Sequence, residues 1–237
     1  EAKVNTSWIQ PNEAWDSAMH DFIAQILDAK SKFVPRLLPL VTEIARLGAM
    51  NSLAQTLLKL TAPGVPDVYQ GNETWDFSLV DPDNRRPVDY ARRGEMLAAL
   101  ANAAPEELLR TWPDGRIKMF LTTRLLHFRR ARPALCLHGS YVPLRTRGTH
   151  ADSCVAFARE HEGEWIVVLA PRLTARVGFP PIGEAWHDTA VELPAASASG
   201  AGASDLFTGR ALQLHDGVLR VSDALATLPF AAFTSAA

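Results

Sequence analysis

The sequence predicts an α+β chain in two parts. Residues 1–134 read as helices with one short barrel-type strand, and residues 135–237 as an antiparallel β-sandwich. Three observations predict this. Apolar residues recur at helical spacing through most of the first 130 positions. From about Leu135 the pattern changes to short β-type runs separated by Gly, Pro and Ser clusters. Between them, Pro63 to Tyr90 holds a turn, a brief apolar run and a long polar loop, in the helix–strand–loop–helix order of one β/α-barrel unit.

Taken in order, Pro11-Asn12 before Glu13 predicts a helix capped by Asn12. Its apolar face is Trp15, Met19, Phe22, Ile23, Ile26 and Leu27, with Trp15 in the core. Pro35 and Pro39 punctuate the start of a second, longer helix with the stripe Leu40, Ile44, Leu47, Leu53, Leu57, Leu58 and Leu60. Gly48 costs that helix about 1 kcal/mol relative to Ala, a cost that close approach of another backbone would justify. Val65 to Tyr69 reads as a short buried strand. Helices are expected at Ala91–Ala103 and Arg116–Arg130, the latter burying Ile117, Phe120, Leu121, Leu125 and Phe128, with arginines at its C-terminal end and Pro133 stopping it. Strands are expected at Tyr141–Leu144, Cys154–Arg159, Trp165–Ala170, Ala190–Leu193 and Val218–Val221. Asp205–Arg210 reads as a strand ending in a turn, and Ala195–Ser204 as a mobile low-complexity loop. Trp165 and Trp186 belong with the sandwich.

The 237 residues suffice for one large or two smaller domains. A net charge of −2 argues against a nucleic-acid footprint, and no apolar run reaches membrane-spanning length. Two cysteines, Cys136 and Cys154, provide neither a disulfide framework nor a metal-ligand cluster, so a reducing cytoplasm is expected. The start at Glu1, with no initiator Met and no signal peptide, suggests a processed product or a piece of a longer protein. Arg145, Arg147, Arg172 and Arg176 read most simply as solvated surface.

The polar loop is poor core material and good material for gripping a ligand covered in hydroxyls. Its carboxylates, Asp67, Glu73, Asp76, Asp81, Asp83 and Asp89, could in principle form an acid/base and nucleophile pair about 5–5.5 Å apart. Ion pairing of Asp81, Asp83 and Asp89 around Arg85 and Arg86 is the simpler reading. Trp75 and Trp8 offer flat indole faces for a sugar ring, or else belong to the packing of their loops. Three His-Asp pairs, His20-Asp21, His187-Asp188 and His215-Asp216, lie mid-helix or in the sandwich half and are read as structural. The candidate sugar contacts are Trp8, Tyr69, Gln70, Glu73, Trp75, Asp81, Asp83, Asn84 and Arg85.

The run VPDVYQG (Val65 to Gly71) followed by NETWDFSLVDPDNRRPVDY (Asn72 to Tyr90) resembles the end of the catalytic barrel of the maltooligosyltrehalose synthases, a branch of the α-amylase family. KVNTSW (Lys3 to Trp8), LGAMNSLAQTLLKLTAPG (Leu47 to Gly64), DLFTGR (Asp205 to Arg210) and LPFAAF (Leu228 to Phe233) resemble the same family. The resemblance implies that Val65 to Tyr69 is the eighth strand of a TIM-type barrel and that a β-sandwich domain follows. It implies an intramolecular transglucosylation of maltooligosaccharides to trehalose-ended products, without an organic cofactor or redox metal. It also implies that the catalytic carboxylates follow earlier strands, so none is expected here and the chain alone is expected to be inactive. The faces of the first two helices then need a cover: the N-terminal part of the same enzyme, a second copy of the chain, or the sandwich itself. An α-1,4-glucan hydrolase and a non-catalytic carbohydrate-binding or structural module stay open as alternatives.

Overall fold

The computed structural model describes residues 4–194, 203–215 and 218–235. Most of the Ala/Ser/Gly stretch (residues 195–202) and Asp216 lie outside the described residues. By compactness the chain divides into two units, Glu1–Arg46 and Leu47–Ala237.

The first unit holds helix α1 (Glu13–Leu27) and the start of helix α2 (Phe33–Thr61). Asn12 caps α1 as expected, its side-chain oxygen accepting from the Trp15 amide at 3.1 Å. The apolar face of α1 is another matter. No residue of α1 is buried, and Trp15, Met19, Phe22, Ile23 and Leu27 are all exposed, so the expected core role of Trp15 is not met. Leu40 and Ile44 are exposed as well. Periodicity shows that a helix has an apolar side, but a partner element is needed to bury it.

In the second unit the remainder of α2 buries Met50, Leu53, Leu57 and Leu60. Gly48 admits no neighbouring backbone: the space beside it is open within 4 Å. The expected strand at Val65–Tyr69 does not form. The segment runs without a sheet partner, and Val65 and Tyr69 are exposed. A lone strand has no ladder to join, and its backbone groups are left to solvent.

Helix α3 (Tyr90–Ala99) is capped by Asp89, and α5 (Arg116–Ala131) follows the short α4 (Pro105–Arg110). The five apolar positions expected on α5 are all buried. Its C-terminal arginines act away from their own helix. Arg129 donates to Leu60 O at 2.9 Å, at the end of α2, and Arg132 pairs with Glu164 at 2.6 Å. Pro133 ends α5 and starts a sixth helix, α6 (Pro133–His138), with Pro at its first position, where a missing N–H costs nothing.

Antiparallel pairing begins at β1 (Val142–Pro143). A five-stranded sheet has the order β1-β3-β4-β8-β6, with β3 at Cys154–His161, β4 at Glu164–Pro171, β6 at Ser204–Asp205 and β8 at Ala231–Thr234. A three-stranded sheet is formed by β2 (Thr146–Arg147), β5 (Ala190–Glu192) and β7 (Val218–Arg220), in that order. Strand β4 explains the layering. Ile166, Val168 and Ala170 join one hydrophobic cluster with α2, α5 and α6, while Trp165, Val167 and Leu169 join another with Trp186, Val191 and Leu219. The period-2 alternation thus feeds two cores, and β4 is buried on both faces. Cys136 and Cys154 are free and buried, and burial pushes both thiols up, Cys154 to about 12.

Packing is continuous across residue 134, because the helical layer and the larger sheet share one cluster. Its polar tie is Arg159 on β3, 2 % exposed. The guanidinium donates to Cys136 O at 2.8 Å, Gly139 O at 2.7 Å, Ser140 O at 3.3 Å and Thr61 O at 3.4 Å. Thr61 and Cys136 lie at the C-terminal ends of α2 and α6, where carbonyls lack intrahelical partners and carry the negative end of the helix dipole. Among the described residues no carboxylate pairs with this buried cation.

Candidate functional site

The loop from Tyr69 to Asp89 is shaped by its own side chains. Asn72 N closes a turn on Tyr69 O, and Gly71 adopts a φ of 90° beneath Val88. Glu73 accepts from Arg93 Nε at 3.0 Å, and the same guanidinium donates to Gly71 O at 3.0 Å. Gln70 accepts a short hydrogen bond from the Tyr90 hydroxyl. Tyr69 is exposed, and the hydrogen bond its phenol donates to the Asp67 carboxylate, then that carboxylate's charge, holds the phenol above its ordinary range.

Trp75 has its indole N–H donating to Trp112 O at 2.8 Å, with the two rings edge to face at 6.2 Å. It packs half-buried against the larger cluster. Gly115 makes this possible: its φ is 83°, and a Cβ there would stand 2.9 Å from Thr74 Cβ and 3.2 Å from Trp75 N. Only glycine lets the start of α5 pass so close to the loop.

The acidic residues are engaged one by one. Asp81 pairs with Arg85. Asp83 accepts from Leu79 N at 2.7 Å and pairs with Arg86 at 3.3 Å. Asp89 does not join the arginine cluster as expected but caps α3 through Arg92 N at 3.0 Å. Asp76 is held below the usual carboxylate range, first by the Ser78 hydroxyl and amide. Asn84 sits exposed in the 3-10 turn Asp83–Arg85. Among the described residues no loop carboxylate bonds another. Each of these carboxylates thus helps to fix the shape of the loop. Trp8 belongs to the first unit, 94 % exposed. The His20-Asp21 pair is exposed on α1, and His215 pairs with Asp223 at 3.0 Å.

One polar residue escaped the sequence reading. Lys118 lies in the apolar run Ile117–Leu121, 9 % exposed, and donates to Thr74 O at 3.1 Å. Burial, then the charge of Lys59, pushes its pKa down. Lys118 helps line a depression of about 330 Å³ with Gln55, Thr56, Lys59, Asn72 and Asp76. The signal was available: a lone Lys inside an apolar helical stripe calls for a buried acceptor. This lining can exchange hydrogen bonds with a polyol. No three His, Cys, Asp or Glu side chains among the described residues are placed to hold a metal ion, and no helix there is long and apolar enough to cross a membrane.

Fold and loop together define a class: a mixed helix and antiparallel-sheet segment that solved structures carry inside much longer enzyme chains. The maltooligosyltrehalose synthase from Arthrobacter ramosus superposes on 99 % of this chain with a TM-score of 0.77 and 34 % identity, using 28 % of its own length. A second solved maltooligosyl trehalose synthase covers 98 % of this chain at a TM-score of 0.72 and 26 % identity, again over 28 % of its length. A Mycobacterium tuberculosis protein carried under the name maltooligosyl trehalose synthase is 39 % identical over 194 residues, 82 % of this chain and 22 % of its own. No protein-family model matches the sequence. The chain belongs to the maltooligosyltrehalose synthase family. It spans about a quarter of the length of these relatives.

Proposed function

We propose that the chain is the C-terminal part of a cytoplasmic maltooligosyltrehalose synthase. That enzyme turns the reducing-end α-1,4 linkage of a maltooligosaccharide into an α,α-1,1 linkage by intramolecular glucosyl transfer. The observation that carries this reading is the chain-long likeness, in sequence and in fold, to enzymes of that name. In this reading residues 1–134 complete the catalytic barrel and residues 135–237 form the β-sandwich domain behind it. The loop from Tyr69 to Arg85 contributes to the sugar-binding face, and the catalytic carboxylates belong to the rest of the longer protein. The exposed apolar sides of α1 and early α2 support this reading, since the remaining three quarters of such an enzyme would cover them.

The longer protein incubated with maltopentaose should lose reducing ends while its substrate keeps its chain length. Shorter sugars would instead assign an α-1,4-glucan hydrolase. The 237-residue chain by itself should leave maltopentaose unchanged, and trehalose-ended product formed by it above background would overturn the assignment of the carboxylates. A change in its tryptophan fluorescence that saturates with maltooligosaccharide would show that this portion alone binds sugar.

A further inference from the structure

The three-stranded sheet carries a depression lined by two arginines that the glucan reading does not use. Arg147 on β2, Ala190 on β5 and Arg220 on β7 stand in one cross-strand row. The adjacent row, Thr146, Val191 and Leu219, turns Val191 and Leu219 into the core, so the arginine row faces outward. Strands lie about 4.8 Å apart, which places the two arginine stems roughly 10 Å from each other. The small Ala190 forms the floor between them. The depression has a volume of about 640 Å³, and His187, Asp188 and His215 complete its rim.

That rim is held in place. A Cβ on Gly148 would lie 2.7 Å from Asp188 O, so the two loops meet backbone to backbone. The Thr149 amide and hydroxyl donate to Asp188 Oδ1 at 2.8 and 2.7 Å. His187 has a φ of 50°, a conformation side chains rarely adopt, and its ring stacks on His150 at 5.3 Å. Asp188 and Glu192 set two carboxylates near the two arginines without pairing with either among the described residues. Asp188 is engaged by Thr149, and His215 pairs with Asp223. Glu192, two residues along β5 on the same face, pairs with neither arginine. Among the described residues Arg147 and Arg220 have no ion-pair partner.

We propose that this depression binds a phosphoryl group carried by a small molecule. Two guanidinium forks supply more donors than the two oxygens of one carboxylate can accept. A phosphoryl group brings three acceptor oxygens and nearly two negative charges. A neutral glucan needs no such pair of unpartnered arginines. The site is separate from the loop, so it stands or falls independently of the reading given above.

The test is calorimetric titration of the protein with inorganic phosphate, glucose 6-phosphate and adenosine 5′-monophosphate, with the His187 ring signals followed by NMR. Saturable binding that shifts His187 is expected. Arg147→Gln and Arg220→Gln should each weaken it about tenfold, the effect of losing one charge-assisted contact. Arg172→Gln, exposed elsewhere on the same part, should leave it unchanged. Tighter binding of the sugar ester or of the nucleotide than of phosphate identifies which kind of molecule carries the group. No saturable binding of any of the three up to about 10 mM, a free energy of only some 3 kcal/mol, overturns the proposal. Binding that both arginine variants leave intact overturns it too.

Discussion

Arg159→Ala should destabilise the protein by about 3–5 kcal/mol, because it removes a buried cation and leaves the carbonyls it served unsatisfied. For a chain of this size that corresponds to a fall of about 6–20 °C in melting temperature. The reason lies in the four acceptors. Cys136 O, Gly139 O, Ser140 O and Thr61 O converge on one guanidinium, and no other described donor reaches the first three of them. Arg159→Lys should give an intermediate loss, since an ammonium keeps the charge but not the planar fork that reaches several carbonyls at once. A thermal or urea melt in which Arg159→Ala matches the parent protein would remove this account of how the helical layer is tied to the sheet.

Asp205→Ala comes next, with an expected loss of about 2–4 kcal/mol at neutral pH. Asp205 is buried at the start of the DLFTGR turn. Its Oδ2 accepts from Thr208 N at 2.9 Å and Thr208 Oγ1 at 2.7 Å, and its Oδ1 from Ala232 N at 3.0 Å on β8. Removing the carboxylate strands those donors in a dry interior. Burial, opposed by these bonds, pushes the Asp205 carboxyl above its ordinary range. A raised folded-state pKa means that the folded protein holds this proton more tightly than the unfolded chain does. The stabilising contribution is then fully present below the unfolded value of about 3.9 and is lost as pH rises through the folded value. The gap between parent and Asp205→Ala should therefore widen on acidification. A gap that narrows on the way down to about pH 4 would show that the donors outweigh desolvation.

These two residues also mark where the sequence could and could not be read. Long amphipathic helices were legible: the spacing of Ile117, Phe120, Leu121, Leu125 and Phe128 named the buried face of α5 without help. The hairpin of β3 and β4 was legible from its apolar runs. The short elements were not, because a six-residue helix such as α4 or α6 contains less than two full turns of pattern, and Pro133 looks the same whether it stops one helix or starts another. Arg159 closes the run CVAFAR and so read as a strand end; nothing local reveals that four carbonyls, one of them 98 residues away at the end of another helix, will meet it. At the candidate site the residue types were legible and their pairings were not. The Asp and Arg content of Asp81–Asp89 announced ion pairs, yet the assignment of Asp89 to a helix cap depended on where α3 begins. The amphipathic face of α1 was visible, but a single chain segment cannot state what will cover it.

The placement of Arg159 bears on cooperativity. The ends of α2 and α6 obtain their last acceptor bonds only when β3 is in position, and β3 buries its cation only when both helices are formed. Neither half can open alone without exposing the other's unpaired groups. Amides in the C-terminal half of α2 and in β3 should then exchange with solvent through the same opening event, with equal opening free energies, while those of α1 exchange freely. Separate opening energies for α2 and β3 would show two folding units where the shared arginine argues for one.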